Sequence, residues 1–211
     1  MTADPPESAS QGTPGSQHTA LEGYLDGQIL IAMPVMSDPR FERTLIYLCA
    51  HSEEGAMGLV INKPAENINF EDLLEKLSID VSGDAGPGEI ELPPVLVGGP
   101  VDMGRGFVLH SQDFRSETST LNVTDTIGLT STVDILRSIA EGKGPKHVLL
   151  ALGYSGWGAG QLEQEIQSNG WLHCETDEDL LFGRDLEGKY TRALTKLGVD
   201  VSALSGRTGE A

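Results

Sequence analysis

Apolar residues in this sequence come in short runs that arrive in groups and not in strict alternation with helices, and this grouping constrains the fold most. The first runs, Gly27–Met33, Thr44–His51 and Ala56–Asn62, are rich in β-branched residues, and Ser52–Gly55 joins the last two as a hairpin would. Further short strands are predicted at Val95–Gly98, Gly106–His110, Leu121–Thr124, His147–Leu152 and Trp171–Cys174. Strands that arrive in groups favour an α+β fold with mixed strand pairing over a doubly wound sheet.

Helices are predicted where apolar residues recur at a spacing of three and four. The segments are Phe70–Leu77, Ser131–Glu141, a helix that begins near Gln161, and Lys189–Leu197. No repeat or linker divides the chain, so we expect a single α+β domain over residues 21–204. A disordered acidic tail (residues 1–20) is expected before it and a flexible end (residues 205–211) after it.

The chain carries a large excess of negative charge. It has 14 Lys and Arg residues against 32 Asp and Glu residues, a formal net charge of −18. Proteins that bind duplex DNA or anionic membranes present a basic face, so direct DNA binding and membrane docking are not expected. Residues 66–92 and 161–187 each hold eight acids and one base, which accounts for −14 of the total. These windows are interpreted as solvated surfaces, with docking of a basic partner as the alternative.

The sequence shows no signal for export or membrane insertion. Its two cysteines, Cys49 and Cys174, are too few for a disulfide framework. The N-terminal segment lacks the basic start and apolar stretch of a signal peptide. The longest apolar run, Val148–Leu152, is far too short to span a bilayer. We therefore expect a soluble cytoplasmic protein.

The strongest local signal for ligand binding is the glycine-rich segment Gly153–Gly160, predicted as a turn before a helix. A glycine loop at a helix N-terminus can hold an anion, but no Gly-Lys-Ser/Thr follows here, so it is not a phosphate-binding P-loop. Nor does Ser155 form a nucleophile elbow, because Trp157 stands where the second glycine is required. The alternative is a tight turn with a backbone role only. Tyr154 and Trp157 remain candidate pocket residues.

Cys49 and His51 lie two residues apart on a predicted strand, so their side chains are expected on one face. A Cys–His dyad would supply a nucleophile and its base. Neighbours on one strand face rarely have the geometry for attack, and a buried free cysteine is commonly a core residue. With His173 and Cys174 the spacing fits no zinc motif, so neither a metal nor a cofactor is expected.

Basic residues are scarce, and several of them lie at turns or strand ends. They are Arg40, Arg43, Lys63 and Arg105, with His110 at the end of a predicted strand. If the fold brings them together, they form a positive pocket for a small anionic ligand. The alternative is that each one caps a helix or pairs with a nearby carboxylate.

Six stretches of the chain form a specific pattern in order and spacing. They are Leu30–Arg43, Tyr47–His51, Gly55–Pro64, Val97–Val101, Arg105–His110 and Leu152–Glu163. In this pattern the chain resembles the AlgH/YqgE family of bacterial proteins. The resemblance implies one α+β domain with a bent or split sheet folded toward a pseudo-barrel, flanked by several helices, in a cytosolic protein. It implies no known reaction, although some members are labelled transcriptional regulators after a link to alginate production.

The resemblance also suggests which polar residues matter. The family's recurring polar positions correspond here to Arg40, Arg43, His51, Asn62, Lys63, Arg105 and His110. This chain departs from the family at Ala50, where an acid is usual, at Tyr190, where Trp is usual, and at Glu210, where His is usual. The missing acid further weakens a mechanism through Cys49 and His51.

Three functional hypotheses follow from these observations. The favoured one is a non-enzymatic regulatory or binding protein that acts through protein contacts or a small anionic ligand. The alternative is an enzyme of unknown reaction in which Arg40, Arg105 and His110 converge around one cleft. A regulator that binds DNA directly ranks last because of the net charge. The candidate ligand-binding residues are Arg40, Arg43, Asn62, Lys63, Arg105, His110, Tyr154 and Trp157.

Overall fold

A computed structural model describes residues 23–36, 38–79, 92–114 and 120–199. Within these residues the chain forms nine strands: β1 (Gln28–Ala32), β2 (Leu45–Ser52), β3 (Gly55–Val60), β4 (Val95–Val97), β5 (Val101–Ser111), β6 (Thr120–Asn122), β7 (Ile127–Thr130), β8 (Val148–Gly158) and β9 (Trp171–Glu175). The described helices are α1 (Phe70–Lys76), α2 (Val133–Ala140), α3 (Gln161–Gln167), α4 (Glu178–Phe182) and α5 (Leu186–Lys196). The tail over residues 1–20 and the end over residues 205–211 lie outside the described residues.

The strands form one curled sheet in the order β6-β7-β5-β8-β3-β2-β1-β9, with β4 added beside β8. Every described pairing is antiparallel except β4 with β8, which is parallel. The curl brings the β6–β7 turn against the start of β1, where a side chain on Gly27 would lie 2.6 Å from Thr124. The predicted α+β class, mixed pairing and bent sheet are confirmed. None of the described helices is long and apolar enough to cross a membrane.

The bend of the sheet lies in the middle of β8. The first half of this strand pairs with β4 and β5, and its last residues pair with β3. Between the two halves Gly153 adopts a φ of +73°, and a Cβ there would stand 2.6 Å from the carbonyl oxygen of Gly99. The predicted turn over Gly153–Gly160 is therefore wrong, because this glycine bends the strand without ending it.

The region of β1–β3 is buried on both faces. One face carries Ile29, Tyr47 and Leu59, which share a core cluster with α4 and α5. The opposite face carries Leu30 and Leu48, which share a cluster with Trp157, Trp171 and Leu162 of α3. Each fully buried aliphatic side chain contributes about 1.5–3 kcal/mol to folding. Helices α4 and α5 thus pack on one face of this region, and α3 packs on the other.

Some elements differ from the sequence prediction. Strand β7 and helix α4 were not predicted, although Asp177 caps α4 by accepting the amide of Leu180 at 2.8 Å. Helix α5 begins at Leu186, earlier than predicted, since Asp185 caps its first turn. Strand β5 begins at Val101, five residues before the strand predicted at Gly106–His110.

Candidate functional site

Arg40 and Lys63, two of the predicted basic residues, hold the loop before β2. The guanidinium of Arg40 pairs with Asp38 at 2.6 Å, and this pairing lowers the pKa of that carboxyl. The Lys63 ammonium donates to the Arg40 carbonyl oxygen at 2.7 Å, and partial burial lowers the pKa of Lys63. These two cations therefore support the backbone of one loop.

Asn62 and Arg43 complete this support. The Asn62 side chain accepts the amide of Leu45 at 2.8 Å and donates to the carbonyl oxygen of Arg43 at 2.9 Å. Arg43 has a φ of +51°, and its guanidinium lies 4.8 Å from the centroid of the Tyr190 ring. The side-chain amide of Asn62 thus fixes the turn into β2, which is a structural role.

Arg105 and His110 lie apart from that loop, on β5. Arg105 donates to the hydroxyl of Ser131 at 3.1 Å. His110 is fully buried, and its Nδ1 donates to the carbonyl oxygen of Ser111 at 2.9 Å, which leaves Nε2 to accept from Thr130 at 2.9 Å. Burial lowers the pKa of His110, so the ring is held neutral.

The structure therefore does not bring the predicted basic residues into one pocket. Arg40 lines a surface cleft, whereas Arg105 and His110 do not contribute to its lining. The convergence of these three side chains was the geometric premise of the enzyme hypothesis. The enzyme hypothesis through these three residues therefore stays a prediction.

Tyr154 and Trp157 are also separated. They lie three residues apart on β8, so their side chains project from opposite faces. Tyr154 packs edge-on against Phe107 at 5.8 Å between centroids. Trp157 packs against Trp171 at 6.0 Å, and its indole N–H donates to Glu165 at 2.9 Å. Of the two, Trp157 alone lines the cleft that contains Arg40.

Cys49 and His51 do not form a dyad. A register shift between Leu48 and Ala50 interrupts the alternation of β2, so the prediction of a shared face is wrong. Cys49 lies in the core cluster of Tyr47, and burial raises the pKa of its thiol. His51 accepts the amide of Leu25 at Nδ1 (3.0 Å), so its Nε2 donates to Glu163 of α3 (3.0 Å). Both ring nitrogens are used in holding the fold.

The cleft that contains Arg40 and Trp157 is formed by three of the stretches that carried the family resemblance. We call it the motif cleft, and its lining includes Asp38, Arg40, Pro100, Ser155, Trp157 and Glu165. Its volume is about 340 Å³. The Ser155 hydroxyl is buried and has no hydrogen-bond partner among the described residues. The segment at 38–41, the start of β5 and the end of β8 supply most of this lining.

A second cavity, which we call the basic pocket, gathers basic side chains that are far apart in the sequence. Its lining includes Lys146, His147, Arg184 and Lys189, and its volume is about 370 Å³. None of the described residues that line it carries a carboxylate. In a chain with a net charge of −18, this cavity is lined by three cations: Lys146, Arg184 and Lys189. The α2–β8 and α4–α5 connections and α5 itself supply these residues.

Lys189 forms the inner wall of the basic pocket. It is 1% exposed, and its ammonium donates to the carbonyl oxygens of Leu181 at 2.7 Å and Ile61 at 3.2 Å. Burial lowers its pKa to about 8, and the charge of Arg192 acts in the same direction. Two carbonyl dipoles hold this cation in place of a carboxylate, so it is poorly compensated.

His147 stands at the boundary of the basic pocket. Its Nε2 lies 3.2 Å from a carboxylate oxygen of Glu178, and its ring lies 5.6 Å from that of Phe182.

The sequence contains only weak signals for this pocket, such as Arg184 as the lone base of an acidic window. No group of three or more His, Cys, Asp or Glu side chains in the described part of the chain could hold a metal ion.

A family model described as AlgH-like (DUF179) matches residues 29–202. The chain belongs to this AlgH-like family. The UPF0301 protein blr1492 of Bradyrhizobium diazoefficiens is 61% identical over 191 residues, which cover 90% of this chain and 89% of that protein. A UPF0301 protein of Rhodopseudomonas palustris is 57% identical over 205 residues, with 94% and 92% covered. The predicted family is confirmed.

Solved structures share the fold of this AlgH-like protein. The solution structure of AlgH from Pseudomonas aeruginosa is 40% identical, with a TM-score of 0.71 over 96% of this chain and 100% of that one. Protein DIP2367 from Corynebacterium diphtheriae has a TM-score of 0.60 at 18% identity, over 79% of this chain and 85% of that one. The second likeness concerns the fold alone.

Proposed function

We propose that this AlgH-like protein is a non-enzymatic binding protein whose basic pocket takes a small molecule with a phosphate or carboxylate group. One observation carries the proposal: Lys146, His147, Arg184 and Lys189 line one cavity, and Glu178 pairs with His147 at its boundary. Cationic side chains that converge in a concave site bind anions through charge-assisted hydrogen bonds.

The buried ammonium of Lys189 strengthens this proposal. A cation removed from water and held by two carbonyl oxygens is stabilised when an anion comes close. Lys146 and Arg184 are exposed and stand at the mouth of the pocket, where they can meet the ligand first. The expected ligand therefore bridges the exposed cations and the buried one.

The proposed mode of action is regulatory and indirect. The net charge of −18 opposes the approach of a phosphate backbone, and a cavity of about 370 Å³ admits a small molecule and not a duplex. Any effect on transcription would then run through the ligand-bound protein and its contacts with other proteins. The protein is proposed to act in the cytoplasm.

Calorimetric titration with inorganic pyrophosphate at constant ionic strength tests the proposal. The Lys146→Ala variant should bind about tenfold more weakly than the wild type, because one charge-assisted contact is lost. Lys143→Ala is the matched control: Lys143 lies in the same connection but pairs with Glu141 at 2.9 Å and does not line the pocket. Absence of binding, or equal losses in the two variants, would contradict the proposal.

A further inference from the structure

The motif cleft runs beside a stretch of β8 whose outer edge pairs with no strand among the described residues. On its inner side this stretch pairs with β3, with Gly156 opposite Met57 and Gly158 opposite Gly55. On its outer side β5 reaches Tyr154 through Val101, and no described residue of β5 is in register with Gly156. Gly156 itself is exposed and lines the cleft. A short strand edge is therefore open to the cleft.

The backbone groups of Gly156 point toward this open edge. The amide of Gly158 donates to the side-chain oxygen of Gln161 at 3.1 Å, so it points away from β3. In an antiparallel ladder the N–H and C=O groups of successive residues alternate between the two sides of the strand. Gly156, two residues earlier, therefore also directs its N–H and C=O away from β3. The N–H donor and C=O acceptor of Gly156 are therefore both available to pair with a residue of an added strand.

The Ser155 side chain is a second observation, independent of the strand edge, that points to a ligand in the motif cleft. Ser155 is 1% exposed, and its hydroxyl makes no hydrogen bond to any described group. Ser155 and Trp157 are two residues apart on β8, so the hydroxyl projects to the same face as the indole, toward the cleft. Buried polar groups are nearly always paired in folded proteins. A ligand in the cleft would supply the partner.

The charges of the motif cleft favour an uncharged occupant. Arg40 is already paired with Asp38 through three contacts of 2.6–3.1 Å. The Glu165 carboxylate accepts hydrogen bonds from Trp157 and Trp171 at 2.9 and 2.7 Å, and from Gln161 at 2.9 Å. Arg40 is thus neutralised by Asp38, and three neutral donors already occupy the acceptor oxygens of Glu165, so the proposed occupant forms no ion pair with either residue.

The remaining lining of the motif cleft is apolar. Phe41, Pro100 and the half-exposed Val101 stand beside the open edge of β8. These residues can contact an apolar side chain of a ligand, and the cleft volume of about 340 Å³ is enough for a short peptide segment.

We propose that the motif cleft binds an extended, uncharged peptide segment, which pairs with Gly156 as an added strand and seats one apolar side chain against Pro100 and Phe41. Added strands of this kind gain affinity from main-chain hydrogen bonds and specificity from pockets for alternate side chains. The motif cleft and the basic pocket share no lining residue. The proposal therefore does not depend on anion binding.

The test is an NMR titration of the ¹⁵N-labelled full chain with acetyl-Leu-Ala-Leu-amide. The amide of Gly156 and the indole N–H of Trp157 should shift saturably. Two further peptides, each N-methylated at one of two neighbouring amides, separate strand pairing from side-chain binding. Because successive amides of a strand face opposite sides, one methylation should weaken binding at least tenfold and the other by less than about twofold.

The Ser155→Ala variant checks the role of the orphaned hydroxyl. Since this hydroxyl has no partner in the fold, the variant should unfold at the same urea concentration as the wild type or higher. Its affinity for the peptide should fall about fivefold, the value of one hydrogen bond. Equal binding of both methylated peptides, shifts confined to the edges of β6 or β9, or no saturable shift would overturn the proposal.

Discussion

The buried amine of Lys189 should make the stability of the fold depend on pH between about 8 and 10.5. Its pKa falls from an ordinary value of 10.5 to about 8 in the folded chain. Between these values the unfolded chain binds a proton that the folded chain does not, so the free energy of unfolding rises with pH. Below about 8 both states are protonated and the full penalty of burying the cation is present.

The size of this effect follows from the difference in pKa. The whole penalty is about 3 kcal/mol, and about 2 kcal/mol of it should be relieved between about pH 7 and pH 9.5. Urea denaturation of the wild type and of Lys189→Met at several pH values measures the contribution of Lys189 as the difference between the two slopes. Other groups that titrate in this range, such as the Cys49 thiol, are common to both proteins and cancel.

The result that would refute this reasoning is an equal pH slope in the two proteins. Lys189→Met leaves the carbonyl oxygens of Leu181 and Ile61 without their donor, which is expected to destabilise it. Should it fail to fold, Lys189→Arg serves instead, because a guanidinium keeps the donors and stays charged throughout this range. It should likewise lack the rise between pH 7 and about 9.5.

Three further predictions concern the core. Glu165→Ala removes the acceptor of the Trp157 and Trp171 indoles and should lower the free energy of unfolding by about 2–4 kcal/mol. The substitution Glu187→Ala, at an exposed position of α5, should change it by less than about 0.5 kcal/mol. Gly153→Ala places a side chain on a residue with left-handed backbone, against the Gly99 carbonyl, and should lower the free energy of unfolding by at least about 2 kcal/mol. In the control Gly104→Ala the new Cβ has no atom within 4 Å, so the free energy of unfolding should fall by less than about 1 kcal/mol. Equal losses within either pair in urea denaturation would contradict the assignment. Cys49 should resist a thiol reagent in the native protein and react on unfolding, since burial raises its pKa; rapid labelling of native Cys49 would show that it is accessible.

Local patterns were sufficient to predict much of the fold. The β2–β3 hairpin, helix α1 and helix α2 follow from turn residues and apolar spacing, and they lie where predicted. The segment Gly153–Gly160 is wrongly predicted as a turn because several glycines close together usually mark a turn. Here one glycine at positive φ bends the strand while its neighbours pair with β3.

The sites were harder to predict because they depend on tertiary contacts. Lys146 and Lys189 are far apart in the sequence and line one cavity only because the fold brings α5 beside the α2–β8 connection. Asn62 and Lys63 were recognised as important polar residues, but no local pattern shows that they bind the backbone of a loop. The bulge in β2 reversed the expected face of His51, and nothing in the run of apolar residues marks it.

The most direct test of anion binding in the basic pocket is its location in solution. In a ¹H–¹⁵N NMR titration with inorganic pyrophosphate, we expect the largest saturable shifts in the connection from Gly142 to Val148 and around Arg184. The loop that carries Arg40 should remain unchanged. Saturable shifts centred on that loop, or no saturable shift at Lys146 and Arg184, would contradict the account.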